Sequence, residues 1–204
     1  MDLVSRHVLA KLYAGDRAGA EEAAGGNALD VFAAAALGRD EEVRQRLAAD
    51  PATSTGRTDD GFTALHLAAF FGTSTTVATL LAGGADPASV ADNPMRVTPL
   101  HSALAKRDVA STRELLEAGA PVDAPQEGGY TALHAAAMHG DAALVRLLLD
   151  HGADPGRRDG EGRTAADHAA NAGHTALAEL LAPPGGLARH PPPPPRPPAA
   201  SEEQ

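Results

Sequence analysis

The sequence predicts an all-α fold, an α-solenoid of about five stacked helix–turn–helix units with short hairpin fingers. Three observations carry that prediction. A Thr-x-x-His or Thr-x-x-Asp motif recurs at Thr63, Thr98, Thr131 and Thr164, in steps of 35, 33 and 33 residues. Nine residues after each Thr stands Gly72, Arg107, Gly140 or Gly173. A Leu pair then follows in every unit, at Leu80-Leu81, Leu115-Leu116, Leu148-Leu149 and Leu180-Leu181. Self-similarity at one such step is the mark of stacked repeats.

Each element within a unit has a local cause. The motif Thr is a good N-cap, because its hydroxyl accepts from an orphan N–H of the first turn. Pro99, directly after Thr98, suits the first helical position. A short helix follows, apolar at Leu65, Ala68 and Ala69 in the first full unit. The Gly nine residues on ends it, as a residue that tolerates the left-handed conformation of a helix terminus. A second helix carries Val77, Leu80 and Leu81 on one face. Gly84-Ala85-Asp86, Gly119-Ala120 and Gly152-Ala153-Asp154 close three of the units. The Asp-, Gly- and Pro-rich segment up to the next motif reads as an extended turn or hairpin.

In these recurring residues the chain resembles the ankyrin-repeat family, over about residues 27–182. The resemblance implies units of helix, turn, helix and hairpin finger, stacked side by side and stable only through their neighbours. It also implies that His66, His101 and His134 link their own helix to the adjoining finger. Each would be neutral, since it must both donate and accept. The units fall at about 27–58, 59–93, 94–126, 127–159 and 160–182. The first is degenerate. Aligning Gly38 with Gly72 puts Leu29 and Phe32 at the Thr and His positions, with Val43 and Leu47 matching Val77 and Leu81. Its second helix carries Arg39, Asp40, Glu41, Glu42, Arg44 and Arg46, as a solvated cap requires. The last unit has Asp167 in place of His, a tolerable loss where no later neighbour follows.

The ends differ. Leu3, Val4, Val8, Leu9, Leu12 and Tyr13 make a helical stripe that Gly15-Asp16 breaks, with Ala20, Ala23 and Ala24 beyond. Residues 1–26 are therefore expected to be a helical extension packed on the first unit. Residues 183–204, PPGGLARHPPPPPRPPAASEEQ, are too rich in proline to build a core and are expected to be a disordered tail. Such a tail is either a plain flexible end or a docking ligand for an aromatic-lined groove.

Composition narrows the function. The 204 residues are 43% hydrophobic but only 3% aromatic, with alanine the commonest residue, which suits thin helical layers in close approach. A large aromatic-lined cofactor pocket does not fit, and no cofactor is expected. The absence of Cys excludes disulfides, thiolate zinc sites and a Cys nucleophile. A net charge of −10 argues against nucleic acid held by phosphate contacts. The longest apolar run, Val31–Leu37, is far below the roughly 20 residues that span a bilayer, so no membrane partner is expected. Ser5, Arg6, His7 and Lys11 interrupt the N-terminal stripe, which leaves no signal peptide and makes the cytoplasm the expected location. Only Lys11 and Lys106 are lysines against many arginines, a codon-bias pointer to a bacterial source.

Nine His residues raise metal and acid–base chemistry. A row of His repeated at the unit step does not converge on one ion, as a site with ligands at about 2.0–2.1 Å must. His134/His139 and His168/His174 miss the i, i+4 spacing of a helical zinc site. No G-x-S-x-G elbow and no phosphate-cradling Gly motif is present. Asp59-Asp60 is a turn pair rather than a carboxylate dyad. The chain reads as a non-enzyme with neither catalytic nor metal residues. A His/Asp-dependent metal hydrolase and a structural spacer are the alternatives.

The few large apolar residues point to the function. The resemblance implies that partners dock on the concave face of finger tips and first helices. Phe62, Phe70, Phe71, Met95, Val97, Tyr130 and Met138 occupy positions of that face, with Asp59, Asp60, Lys106, Glu127, His139, Glu161 and Arg163 around them. Aromatics clustered centrally within a charged rim are the pattern of binding hot spots. Phe62, Phe70, Phe71, Tyr130 and Met138 are expected to form one patch, although Phe70 or Phe71 filling space beside Ala33–Ala36 is the competing reading. The finger from Ala88 to Arg96 is two residues longer than the others. Its tip, Asn93, Pro94 and Met95, is a candidate specificity loop, and drift is the alternative. The expected role is a monomeric protein–protein interaction module, adaptor or inhibitor, whose partner is another protein.

Overall fold

The structure, a computed structural model, describes residues 1–182. The tail expected over 183–204 lies outside the described residues. The described residues hold twelve α-helices in six consecutive pairs. These are α1 (Leu3–Tyr13) with α2 (Arg17–Ala24), α3 (Val31–Leu37) with α4 (Asp40–Ala49), and α5 (Ala64–Phe71) with α6 (Ser74–Ala82). Then come α7 (Pro99–Lys106) with α8 (Val109–Glu117), α9 (Ala132–Met138) with α10 (Ala142–Asp150), and α11 (Ala165–Asn171) with α12 (Thr175–Leu181). The odd-numbered helices stack in sequence order as an inner layer, and α4, α6, α8 and α10 stack behind them.

The inner helices start where the motif places them. In α5, α7, α9 and α11 the Thr and the residue three places on form a reciprocal capping box. His66 Nδ1 accepts from the Thr63 N–H at 3.3 Å, so Nε2 carries the proton and donates to the Val97 carbonyl at 3.0 Å. His134 repeats the pattern, with Nδ1 accepting from Thr131 N–H at 3.1 Å and Nε2 donating to the Arg163 carbonyl at 3.2 Å. Burial pushes His66 and His101 down to about 4, so both rings are neutral near pH 7. His101, however, does not make the expected link to the next finger, because its Nε2 is buried without a hydrogen-bond partner. Asp167 accepts from Thr164 N–H at 2.8 Å and so keeps the capping half of the motif without the link to a finger.

Small side chains set the layer thickness. Ala33, Ala34, Ala35 and Ala36 are all fully buried in α3, which packs against α1, α4 and α5. Two readings of the sequence need correction here. The N-cap of α3 is Asp30, whose Oδ1 accepts from Phe32 and Ala33 N–H; Leu29 and Phe32 do not hold the motif positions. The helix is one residue shorter than α5, so anchoring the alignment on Gly38 shifts its start by one. Gly72 also ends α5 at φ −80, outside the left-handed region. Its glycine is required because a Cβ would meet the Ala35 carbonyl oxygen at 2.5 Å, on the neighbouring α3.

The N-terminal segment behaves as a further helix pair. Asp2 and Asp16 cap α1 and α2, each accepting a backbone N–H at 2.8 Å. Val8, Leu9 and Leu12 are buried, and α1 stacks on α3 as each inner helix stacks on the next. Arg17 donates to the carbonyls of Leu37 and Phe71, each at 2.9 Å, tying α2 to the ends of α3 and α5.

Fingers connect the pairs. Each is closed by one rung: Thr58 N–H to Phe62 O, Ala91 N–H to Val97 O, Gln126 N–H to Tyr130 O and Asp159 N–H to Arg163 O. The second closes two residues later than the rest. Neighbouring fingers are joined backbone to backbone, Asp92 N–H to Gly61 O, Glu127 N–H to Met95 O and Gly160 N–H to Gly128 O. Arg96 and Arg107 stand at φ 50 and φ 59, in the left-handed region where other units place Gly.

Candidate functional site

The inner helices and finger tips line two grooves. The first, about 700 Å³, runs from the end of α1 across α5 to α7, between the first two fingers. Leu12, Tyr13, Phe62, Phe70, Phe71, Met95, Val97 and Ala105 line it, with Arg17 at one end. The last turn of α5 supplies Phe70 and Phe71, whose rings meet edge to face at 4.7 Å. Tyr13 meets Phe71 in the same manner at 5.4 Å. Phe71 is half-buried against α1, whereas Phe70 and Met95 are 43% and 52% exposed, so the groove presents apolar surface to solvent. Burial, together with donation of its hydroxyl to Asp60 Oδ2 at 2.8 Å, pushes the Tyr13 phenol up.

The second groove, about 810 Å³, lies at α9 and α11 and is lined by Gln126, Glu127, Tyr130, Met138, Asp159, Glu161, Arg163 and His168, among others. Its groups are spent on one another. Asp159 Oδ2 accepts from Arg163 Nε at 3.2 Å and from His168 Nε2 at 2.7 Å. Its Oδ1 accepts from the N–H groups of Glu161 and Arg163, each at 2.9 Å. Burial alone would raise this carboxyl, but those donors outweigh it and hold Asp159 at about 2. Arg163 also pairs with Glu161 at 3.0 Å. Tyr130 stacks on His134 at 5.3 Å, meets the His168 edge at 5.1 Å and donates to Met138 Sδ at 3.3 Å.

The residues singled out in the sequence are therefore divided. Phe62, Phe70, Phe71, Met95 and Val97 share the first groove, while Glu127, Tyr130, Met138, Glu161 and Arg163 line the second. They fall in two grooves that meet at the long finger, where Met95, Val97, Gln126 and Glu127 line a smaller cleft of about 310 Å³. Asp59 pairs with Arg6 at 3.2 Å and Asp60 serves Tyr13, so both hold the first finger to α1. Lys106 donates to the Gly72 carbonyl and pairs with Asp108 at 3.6 Å. His139 is exposed and lines neither groove. Asn93 Nδ2 donates to the Asp60 carbonyl, which fastens the long finger to its neighbour.

Leu12, Tyr13 and Arg17 are groove residues that sequence reasoning missed, as are Asp159 and His168. For Asp159 a signal existed. It stands three residues before the finger Gly162, as Thr58 stands before Gly61, and both side chains accept the N–H that closes the finger. Among the described residues no group of three or more His, Cys, Asp or Glu could hold a metal ion.

Stacked helix pairs with hairpin fingers and a concave groove define a repeat solenoid, a scaffold that presents a surface rather than encloses a reaction. A family model described as ankyrin repeats in three copies matches residues 31–126 and again 112–187, and the chain belongs to the ankyrin-repeat family. A comparison with curated proteins finds no match. Ankyrin repeats are in general protein–protein interaction modules, and the family is typically non-enzymatic. No helix among the described residues is long and apolar enough to cross a membrane.

Proposed function

We propose that this chain is a non-enzymatic binding module that holds one partner protein in the first groove, acting as an adaptor or inhibitor. It works as a cytoplasmic monomer with neither nucleic acid nor membrane as ligand. One observation carries the reading: Phe70 and Met95, 43% and 52% exposed, present large apolar side chains to solvent in an aromatic groove. Apolar anchors that shed water in a pocket contribute most of an interface's free energy, and surrounding polar groups set register. Edge-to-face rings, Arg17 and the finger rungs tie the groove walls to one another. Little ordering is left to oppose binding.

The test is a pair of variants, Phe70→Asp and Met95→Asp, in the full chain. A partner recovered from native extract and then purified should bind each variant about 30-fold more weakly by calorimetry, equivalent to about 2 kcal/mol. Unchanged affinity in both variants would remove the groove from the interface.

A further inference from the structure

We propose that the first groove also receives this chain's own proline-rich segment. Residues 191–198 would lie in cis across Tyr13, Phe62, Phe70 and Phe71, in competition with the partner. The proposal rests on the reading of that groove as the partner site and adds its regulation.

Three observations select this occupant. The first is chemical. Proline runs are pre-set for the polyproline II helix and dock on aromatic-lined grooves. The first groove gathers four Phe and Tyr rings, whereas the second has Tyr130 alone and carries the linked Asp159, Glu161 and Arg163. The segment from Arg189 to Pro198 reads RHPPPPPRPP, two arginines flanking a run of five prolines.

The second is charge. Residues 183–204 hold two Arg and two Glu, so the net charge of −10 sits on residues 1–182. The tips beside the first groove carry the exposed Asp59, Asp60, Asp92 and Glu127. Of these Asp59 is taken by Arg6 and Asp60 by Tyr13, while Arg17 lines the same groove and Arg96 stands between its wall residues Met95 and Val97. Both glutamates of the segment lie past the prolines, at Glu202 and Glu203, so its proline stretch is purely basic. Asp92 and Glu127, whose carboxylates have no side-chain partner among the described residues, are the groups that a basic proline stretch would meet.

The third is reach. After α4, α6, α8 and α10 the chain runs into a finger, and the described chain ends one residue past α12, at Ala182. From α11 to α5 is three inner-helix steps of about 10 Å each, or about 30 Å. Residues 183–190 span up to roughly 26 Å when extended at about 3.3 Å per residue, and the prolines continue from there. A tethered segment acts at an effective concentration of about millimolar, enough for a weak motif to compete.

The test uses the absence of native Cys. Ser201→Cys in the full chain accepts a single nitroxide, and paramagnetic loss of amide signal maps where it lies. The expected result is signal loss at Phe70, Phe71, Met95 and Ala105 but not at Met138 or Asn171. It should persist on dilution with unlabelled chain and weaken when Arg189→Glu and Arg196→Glu are combined. Loss that scales with concentration would assign the segment to a second copy and overturn the cis contact. Loss centred on Tyr130 and Met138, or indifferent to the charge reversals, would overturn it as well. Adding the purified partner separates the two readings. A partner that leaves the Phe70 and Phe71 amides undisturbed defeats the groove as partner site alone. A partner seated there with no nitroxide contact in its absence defeats this proposal alone.

Discussion

The two ends of the concave face use the same scaffold differently. At α1, α5 and α7 the groove is walled by Tyr13, Phe62, Phe70 and Phe71, and part of that surface meets only water. At α9 and α11 the corresponding space is crossed by Asp159, His168, Arg163 and Glu161, each already engaged. The first region keeps apolar area in reserve and the second has satisfied its own groups. Unsatisfied apolar surface is where a partner gains most, whereas opening a settled ion network costs desolvation. Exposed aromatic surface is therefore concentrated in the N-terminal half, where α1 and the long second finger also depart from the repeat motif.

The sharpest way to break that contrast is at the glycines. Gly72→Ala in the first region drives a Cβ to 2.5 Å from the Ala35 carbonyl oxygen, a backbone atom of α3. A clash with backbone cannot relax through a rotamer, so the loss should be about 3 kcal/mol by urea unfolding. Gly173→Ala in the second region meets open space and carries only the strain of φ 84, about 1 kcal/mol. Equal losses at both sites would show that α5 does not approach α3 this closely.

Acid separates the halves next. His66 and His101 have folded values lowered to about 4 by burial, below the ordinary 6.5. Their contribution is complete above pH 6.5 and drains away as pH falls through 4, at up to about 1.4 kcal/mol per pH unit for each ring. Asp159, lowered to about 2 from 3.8, contributes fully above pH 3.8 and loses that contribution as pH falls through 2. Hydrogen exchange between pH 6 and 4 should therefore show α5 and α7 losing protection ahead of α11. Asp159→Asn should remove the lower window and leave the upper one in place. Simultaneous loss in all inner helices would mean that the stack titrates as one unit.

A smaller effect tests the reserve of apolar surface directly. Phe70→Ser should lower unfolding free energy by about 1 kcal/mol, since the residue is 43% exposed but gives up its edge-to-face contact with Phe71. Met138→Ser, 40% exposed in the second groove, should be equally mild and should leave partner affinity unchanged. A loss of affinity at Met138 comparable to that at Phe70 would erase the distinction between the two ends.

What the sequence revealed follows from range. The repeat step, the capping Thr residues and the neutral motif His depend on neighbours three residues apart, or on one finger in register, and were legible. The first helix pair was legible as a helical extension packed on the first unit but not as a further repeat-like pair, because it lacks the Thr-x-x-His motif and uses Asp2 and Asp16 as caps. Tyr13 as a groove wall was not legible. Its contacts reach Asp60, 47 residues on, and Phe71, and only the stacking of α1 brings them together. For the same reason Asp59 and Asp60 looked like free rim charges and are in fact clasps to α1.

The smallest predicted effect concerns the unit between the two grooves, where Arg107 stands at φ 59 in the place other units give to Gly. Arg107→Gly removes the left-handed strain of a side-chain-bearing residue, about 1 kcal/mol. It also frees the unfolded chain, which returns part of that gain. The lost ion pair with Asp141, 3.3 Å long with the Arg more than half exposed, contributes little. The net should be a stabilisation of about 0.5 kcal/mol, read as a higher denaturation midpoint at unchanged slope. Gly140 is the matching site in the next unit, at φ 68, and there a Cβ would strike the His174 ring at 2.4 Å. A side chain at Gly140 would have to turn the His174 ring aside, whereas Arg107 is accommodated as it stands. A destabilised Arg107→Gly would mean that the arginine is held there by the Asp141 contact rather than merely tolerated.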